Sequence, residues 1–141
     1  MQKPSPTEQA ILNLKNGVSV TELIHGVSGP SLGDYLFSFL CRLDCSVETV
    51  AGLAGLNKSS LYRILNGEVS PQRNVLLRLA RTLNMDLGQT QHLLKAGRLA
   101  TLSGSDPRDL VIIDGILRGL DIVDINDNLA RNRYPDLFSK K

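Results

Sequence analysis

Apolar residues recur along this chain at intervals of three and four, which is the spacing of helices that bury one face. From Leu32 to Leu43 the apolar stripe consists of Leu32, Tyr35, Leu36, Phe39, Leu40 and Leu43. No stretch combines a sustained alternation of apolar and polar residues with hairpin turn residues, so the sequence does not predict β-strands. The pattern therefore predicts an all-α fold.

The first two predicted helices each begin with a capping box, SPTE at 5–8 and SVTE at 19–22, and they end at Gly17 and Gly26. In such a box a Ser or Thr hydroxyl and a Glu carboxylate satisfy free backbone N–H groups at the start of a helix. We expect residues 1–30 to form an N-terminal helical extension.

The segment from Val47 to Asn66, VETVAGLAGLNKSSLYRILN, predicts two short helices joined by a tight turn, with Ser46 as the first cap. Ala51 lets the two helix axes approach, and Gly55 supplies the backbone freedom of the turn. The apolar positions that should face the core are Val50, Ala54, Leu56, Leu61 and Ile64. This arrangement is typical of a DNA-reading helix-turn-helix. An ordinary helical hairpin is the alternative, because Ala and Gly occur by chance at such spacings.

Hydrogen-bonding side chains occupy the outer face and first turn of the second of these helices. They are Asn57, Lys58, Ser59, Ser60, Tyr62, Arg63 and Asn66. Arginine can clamp the two acceptors of a guanine and asparagine can pair with adenine, whereas Ser, Lys and a helix N-terminus suit phosphate oxygens. A recognition helix reads bases mainly through its N-terminal half. We therefore predict groove or base-edge contacts from Lys58, Ser59, Tyr62 and Arg63.

Two further segments follow, the loop LNGEVSP at 65–71 and the stretch QRNVLLRLARTLNM, which predicts a helix from about Gln72 to Leu83. With a fifth helix at about 87–95, this chain from Leu32 to Leu94 resembles the Xre or lambda-repressor-like (Cro and cI) family. The resemblance implies a five-helix DNA-binding domain at 31–96 that binds double-stranded DNA. The chain departs from a strongly basic recognition helix, since only Lys58 and Arg63 are basic there.

A second basic row lies in the next helix, at Arg73, Arg78 and Arg81. Between Gly55 and Met85 five basic residues and one acidic residue give +4, against +2 for the whole chain. We expect Arg73 to contact DNA phosphate. Arg78 and Arg81 either extend this basic surface or form an ordinary solvated face.

The C-terminal third begins with AGRLATLSGSDP, whose Gly and Ser content predicts a linker at 97–106. Residues 107–141 then predict a helical hairpin and tail, with Asp106 and Asp121 as caps. The first helix of this hairpin should bury Leu110, Val111, Ile113, Ile116 and Leu117. Because the hairpin is too short to fold alone, we expect it to pack on the core or on a second subunit.

Composition agrees with a soluble protein that has one moderate core, since 141 residues are 42% hydrophobic with a mean hydropathy of −0.04. The N-terminus lacks the apolar core of a signal peptide and no segment is apolar enough to span a membrane, which predicts a cytoplasmic protein. Cys41 and Cys45, four residues apart, suit buried or half-buried thiols rather than a secreted disulfide scaffold.

Other chemistry finds no support in the sequence. Asp124, Asn126 and Asn128 resemble the start of a calcium loop, but Leu129 and Pro135 replace the required Gly and Glu. The two histidines, His25 and His92, lack cysteines or an acidic cluster at metal-ligand spacing. We expect no metal, no cofactor and no enzyme activity.

The sequence thus predicts a sequence-specific DNA-binding transcriptional regulator, acting as a repressor and as a homodimer. A dimer follows because one recognition helix makes few base contacts, and pairing two half-sites is the usual way to gain specificity. The alternative is a protein-interaction adaptor or inhibitor that keeps the helix-turn-helix scaffold and binds a protein partner through the terminal hairpins.

Overall fold

The computed structural model describes residues 6–17, 31–43 and 45–139. Regular structure in those ranges is entirely helical, which confirms the all-α prediction. The helices are α1 (Pro6–Lys15), α2 (Leu32–Arg42), α3 (Val47–Leu53), α4 (Lys58–Leu65), α5 (Arg73–Thr82), α6 (Leu87–Ala96), α7 (Pro107–Leu117) and α8 (Ile122–Arg131). Residues 1–31 and 32–141 form two separate compact units.

The first unit contains α1, which carries Glu8 in its first turn and Lys15 in its last, where each charge complements the helix dipole. The chain leaves this helix through Gly17, which adopts a left-handed φ of +89°. This agrees with the predicted end of the first helix. The predicted cap at Ser5 and the second helix predicted at 19–26 lie outside the described residues.

In the second unit, α2 buries Leu36, Phe39 and Leu40, which belong to the predicted stripe. Its second residue, Gly33, lies against the backbone of α4, where a Cβ atom would overlap the carbonyl oxygen of Leu65. Glycine is therefore required for these two helices to approach so closely. This contact helps to fix the position of α4.

The predicted helix-turn-helix is confirmed as α3, a tight turn and α4. The hydroxyl of Ser46 accepts a hydrogen bond from the Thr49 amide at 3.2 Å and caps α3. Gly55 stands in the turn with φ +74°. Of the residues predicted to face the core, Val50, Ala54, Leu61 and Ile64 are buried and Leu56 is half-buried. Ala51, predicted at the crossing of the two helices, is also buried.

Helix α5 is the centre of this unit, because it is buried on all sides, by Leu76, Leu77, Leu79 and Ala80 on one face and by Asn74, Arg78 and Arg81 on the other. Helix α6 begins with a reciprocal capping box, in which Asp86 accepts from the Gln89 amide and the Gln89 side chain accepts from the Asp86 amide. Its residues Leu93 and Leu94 pack into the same core.

Residues 97–106, predicted as a linker, are packed against the helical core. Leu102 is 5% exposed, and its backbone exchanges two hydrogen bonds with the side chain of Gln91, at 2.7 and 2.9 Å. The helical hairpin α7 and α8 follows, capped by Asp106 and Asp121 as predicted. After α8 the tail returns to the core, where Leu137 is fully buried.

The predicted inner face of α7 is only partly right. Ile116 is buried, but Leu110 and Leu117 are 49% and 70% exposed, while Ile112 faces the core instead. The reason is the close packing of α7 on α8 at Gly115, where a Cβ atom would lie 2.5 Å from Ile125 Cγ1. Val111 and Ile113 are half-buried against the core, so only Leu110 and Leu117 of the predicted face lie on the exposed side.

Two negative findings concern the described residues only. None of their helices is long and apolar enough to cross a membrane. No group of three or more His, Cys, Asp or Glu among them could hold a metal ion.

Cys41 and Cys45 are both exposed, which corrects the prediction of buried or half-buried thiols. Cys41 lies on the side of α2 that faces away from the core, and Cys45 lies in the connection between α2 and α3.

Candidate nucleic-acid interface

Helix α4 presents a polar face to solvent and an apolar face to the core. Leu61 and Ile64 are buried, and the side chains on the opposite face are exposed at Lys58, Ser59, Tyr62 and Arg63. Tyr62 is 42% exposed. These four are the residues for which groove contacts were predicted, so the structure brings them together on one accessible surface, here called the α4 face.

The other polar residues of α4 serve partly to begin and end it. The side-chain oxygen of Asn57 accepts a hydrogen bond of 2.7 Å from the Ser60 amide, which makes Asn57 the N-cap. Ser60 is half-buried. Asn66 is the C-cap and stays exposed, and Gly67 follows it with φ +73°. The capping oxygen of Asn57 is therefore engaged, while Asn66 is exposed at the other end of α4.

An ion pair joins the two helices of the helix-turn-helix. The Lys58 Nζ lies 2.6 Å from the Glu48 Oε1, and both side chains are more than half exposed. The hydrogen bond between them raises the pKa of Lys58 and lowers that of Glu48. The same Nζ lies 5.8 Å from the centroid of the Tyr62 ring. An anion that approaches Lys58 therefore competes with Glu48.

Arg73 forms an internal anchor. Its Nη1 and Nη2 donate to Asp109 Oδ1 and Oδ2, each at 2.8 Å, while its Nε and Nη2 donate to the carbonyls of Ala100 and Thr101 at 2.9 and 3.0 Å. The hydrogen bond with Asp109 raises the pKa of Arg73. This geometry ties the start of α5 to α7, so the predicted phosphate contact from Arg73 has no support in its position.

Arg78 and Arg81 are 7% and 8% exposed, which corrects both interpretations of them, because neither a basic surface nor a solvated face exists there. The Nε of Arg78 donates to the Ala54 carbonyl at 2.8 Å and its Nη1 to the Leu137 carbonyl at 2.6 Å. Its guanidinium also lies 4.7 Å from the Phe138 ring centroid. Burial lowers the pKa of both arginines.

The three arginines of α5 therefore connect the helix-turn-helix to the C-terminal region, and sequence reasoning missed this role. Leu76, Leu77, Leu79 and Ala80 lie on one face of α5, and Arg78 and Arg81 lie on the opposite face. An amphipathic helix of this kind normally exposes its polar face, so the helical pattern carried no signal that these arginines are buried.

A second tie holds the tail. Arg108 donates to the carbonyls of Pro135 and Asp136 at 2.9 and 3.0 Å and to Asn74 Oδ1 at 3.0 Å. Asn74 in turn donates to the Ser139 carbonyl at 2.8 Å. Burial, followed by the charge of Arg73, lowers the pKa of Arg108. The tail is thus fixed beside the start of α5 and the turn of the helix-turn-helix.

Residues 40–93 match a family model described as a helix-turn-helix domain. The match extends from the end of α2 into α6 and covers less than half of the chain. Comparisons with curated proteins and with solved structures gave no match.

Proposed function

We propose that this protein is a sequence-specific regulator of transcription that binds double-stranded DNA through the α4 face. The observation that carries the proposal is the exposed set Lys58, Ser59, Tyr62 and Arg63 on the second helix of a helix-turn-helix domain. A helix fits the major groove, and its N-terminal residues then reach the base edges.

Three residues of the α4 face have a defined chemical role in this proposal. Arg63 is exposed and can donate two parallel hydrogen bonds to a guanine. Ser59 and Lys58 stand in the first turn, where hydroxyl and ammonium groups suit phosphate oxygens. Asn57, Ser60 and Asn66 border this surface and complete the proposed contact set. Arg73 is left out, because its guanidinium already binds Asp109 and two carbonyls.

We further propose that the protein acts as a homodimer and as a repressor. One α4 face offers few base contacts, and each good bidentate pair contributes about 1–3 kcal/mol of discrimination. Two copies on a two-fold symmetric site double that number. A bound dimer can block polymerase without any activating surface, which supports repression.

Selection of bound fragments from a random DNA pool tests this proposal. The purified protein should enrich a two-fold symmetric motif, and the spacing of its halves would give the distance between the two α4 helices in the dimer. Absence of any enriched sequence with folded protein would refute sequence-specific binding. An enriched motif without symmetry would refute the dimer alone.

A specific observation favours a second candidate function, a protein-interaction adaptor on the same scaffold. Three of the five basic residues between 55 and 85 are committed to internal bonds, and Lys58 is paired with Glu48, so Arg63 is the remaining unpaired cation of α4. Exposed apolar side chains of the C-terminal hairpin, Leu117 and Val123 among them, suit a protein partner. A stoichiometric protein complex without salt-dependent DNA affinity would favour the adaptor.

A further inference from the structure

A surface cavity of about 280 Å³ lies where the end of α3 meets the start of α8. It is lined by Leu53, Arg81, Thr82, Asp121, Ile122 and Val123. Leu53 is the last residue of α3, and Asp121 is the cap of α8. The cavity therefore lies between the helix-turn-helix and the C-terminal hairpin. None of the residues that line it belongs to the α4 face.

Arg81 gives this cavity a buried cation. It is 8% exposed, and its Nη1 and Nη2 donate to the carbonyls of Leu120 and Met85. Its Nε is the one buried side-chain nitrogen or oxygen of the described residues that has no hydrogen-bond partner. No ion pair within 4 Å involves Arg81 in the described part of the chain. Since an uncompensated buried charge is costly, a carboxylate in the cavity would offset that cost.

The remaining walls carry one anion, one hydroxyl and an apolar surface. Asp121 is exposed, and its Oδ1 accepts from the Asp124 amide at 2.9 Å, which leaves the other carboxylate oxygen available. The Thr82 hydroxyl donates to the Arg78 carbonyl at 2.9 Å and can still accept a hydrogen bond. Leu53 and Val123 are 65% and 66% exposed at the rim, where an apolar ligand group would cover them.

We propose that this cavity binds a zwitterionic α-amino acid with an apolar side chain. Its carboxylate would face Arg81, its ammonium Asp121, and its side chain Leu53, Ile122 and Val123. A fatty acid has no cation to offset the repulsion between its carboxylate and Asp121. An amine has no anion to offset the repulsion between its ammonium and Arg81. The volume of about 280 Å³ lies just below the ~300–1,000 Å³ typical of ligand pockets, which suits one amino acid better than a nucleotide.

Calorimetric titration of the full chain without DNA tests the binding. L-leucine should bind saturably, whereas 4-methylpentanoate, which is leucine without the ammonium, and isoamylamine, which is leucine without the carboxylate, should each bind at least about tenfold more weakly. Absence of binding by L-leucine, L-isoleucine, L-valine and L-methionine up to about 20 mM overturns the proposal. Equal affinity for L-leucine and 4-methylpentanoate overturns the role of Asp121 and with it the zwitterionic ligand.

Two tryptophan variants locate the site. Val123→Trp fills the rim and should abolish L-leucine binding, whereas Leu117→Trp changes a comparably exposed apolar residue, 70% against 66%, outside the cavity lining and should leave it intact. Unchanged binding by Val123→Trp overturns the assigned site. Arg81→Lys keeps the charge but loses the planar guanidinium, so the affinity of the folded variant for L-leucine should fall by about tenfold. If this variant does not fold, Val123→Trp and Leu117→Trp still test the site.

Control of DNA binding by this ligand is a consequence that rests on the proposed function. Leu53 ends the first helix of the helix-turn-helix, so an occupant that contacts Leu53 and Val123 together would link α3 to α8. The DNA affinity measured with and without L-leucine should then differ. Retained L-leucine binding by a protein that binds no DNA would refute the proposed function and leave the site standing.

Discussion

Arg73 and Asp109 form a bidentate ion pair with two hydrogen bonds of 2.8 Å, and Asp109 is 2% exposed. Asp109 also accepts from the Ser103 amide at 2.9 Å, while Arg73 binds the carbonyls of Ala100 and Thr101. One pair therefore fixes the beginning of α5, the segment 97–106 and the first turn of α7. The helix-turn-helix domain and the C-terminal hairpin are joined through it.

Arg73→Ala should lower the free energy of unfolding by about 2–4 kcal/mol, because it leaves the buried Asp109 carboxylate without its cation. Urea denaturation measures this change. The matched control is Arg118→Ala, which removes an exposed pair with Asp114 and should cost no more than about 0.5 kcal/mol. A loss of DNA affinity in folded Arg73→Ala, with unchanged stability, would contradict the structural role and restore the predicted phosphate contact.

The same pair predicts a loss of stability in acid. Burial raises the pKa of Asp109, but the hydrogen bonds from Arg73 and the Ser103 backbone outweigh it, so the pKa lies below its ordinary value. The carboxylate therefore stabilises the fold above the ordinary Asp pKa of about 3.9, and this contribution is lost as pH falls through the lower folded value. Urea midpoints between about pH 7 and pH 2 should fall less steeply for Asp109→Asn. Parallel acid profiles for both proteins would contradict this.

Local signals in the sequence were sufficient for the described helices and for several of their caps. Ser46, Asp106 and Asp121 each accept backbone hydrogen bonds at the helix starts predicted for them, because capping depends on residues only two or three positions apart. The exposure of Lys58 and Arg63 on α4 followed in the same way from the helical period. The DNA contacts of these residues remain predictions.

The roles of the α5 arginines could not be predicted, because their partners are distant in sequence and are mostly backbone carbonyls. Arg78 binds carbonyls 24 and 59 positions away, and Arg81 binds one that is 39 positions away. Every residue carries a carbonyl, so no side-chain pattern marks these partners. The count of basic residues therefore did not reveal that Arg73, Arg78 and Arg81 bind groups inside the fold.

The turn of the helix-turn-helix should depend on the tail through Gly55 and Phe138. A Cβ atom at Gly55 would lie 2.5 Å from Phe138 Cε1, and its φ of +74° is itself strained for other residues. Gly55→Ala should therefore lower the free energy of unfolding by more than the about 1–2 kcal/mol expected from the left-handed conformation alone. In a double-mutant cycle with Phe138→Ala the excess should disappear. Strict additivity of the two substitutions would contradict the contact.

Glu48→Gln should increase DNA affinity. It removes the anion that lies 2.6 Å from Lys58, so a DNA phosphate no longer competes for that ammonium. The gain should be largest at low salt, because the competing attraction is between exposed charges. Fluorescence anisotropy with the selected DNA at two salt concentrations measures it, and Glu68→Gln, which removes another exposed carboxylate, is the control for net charge. Equal gains for both variants would show an effect of total charge only.

Arg63→Ala should reduce discrimination between the selected sequence and random DNA. If its guanidinium contacts a guanine, the substitution weakens binding to the selected sequence by about 1–3 kcal/mol. The weaker binding to random DNA stays nearly unchanged. Arg131→Ala, an exposed arginine at the end of α8, is the matched control and should keep the full discrimination. Competition titrations of both variants against both DNAs give the ratio directly. Equal losses on the two DNAs for Arg63→Ala would refute base contact, since a phosphate contact lowers affinity for every sequence alike.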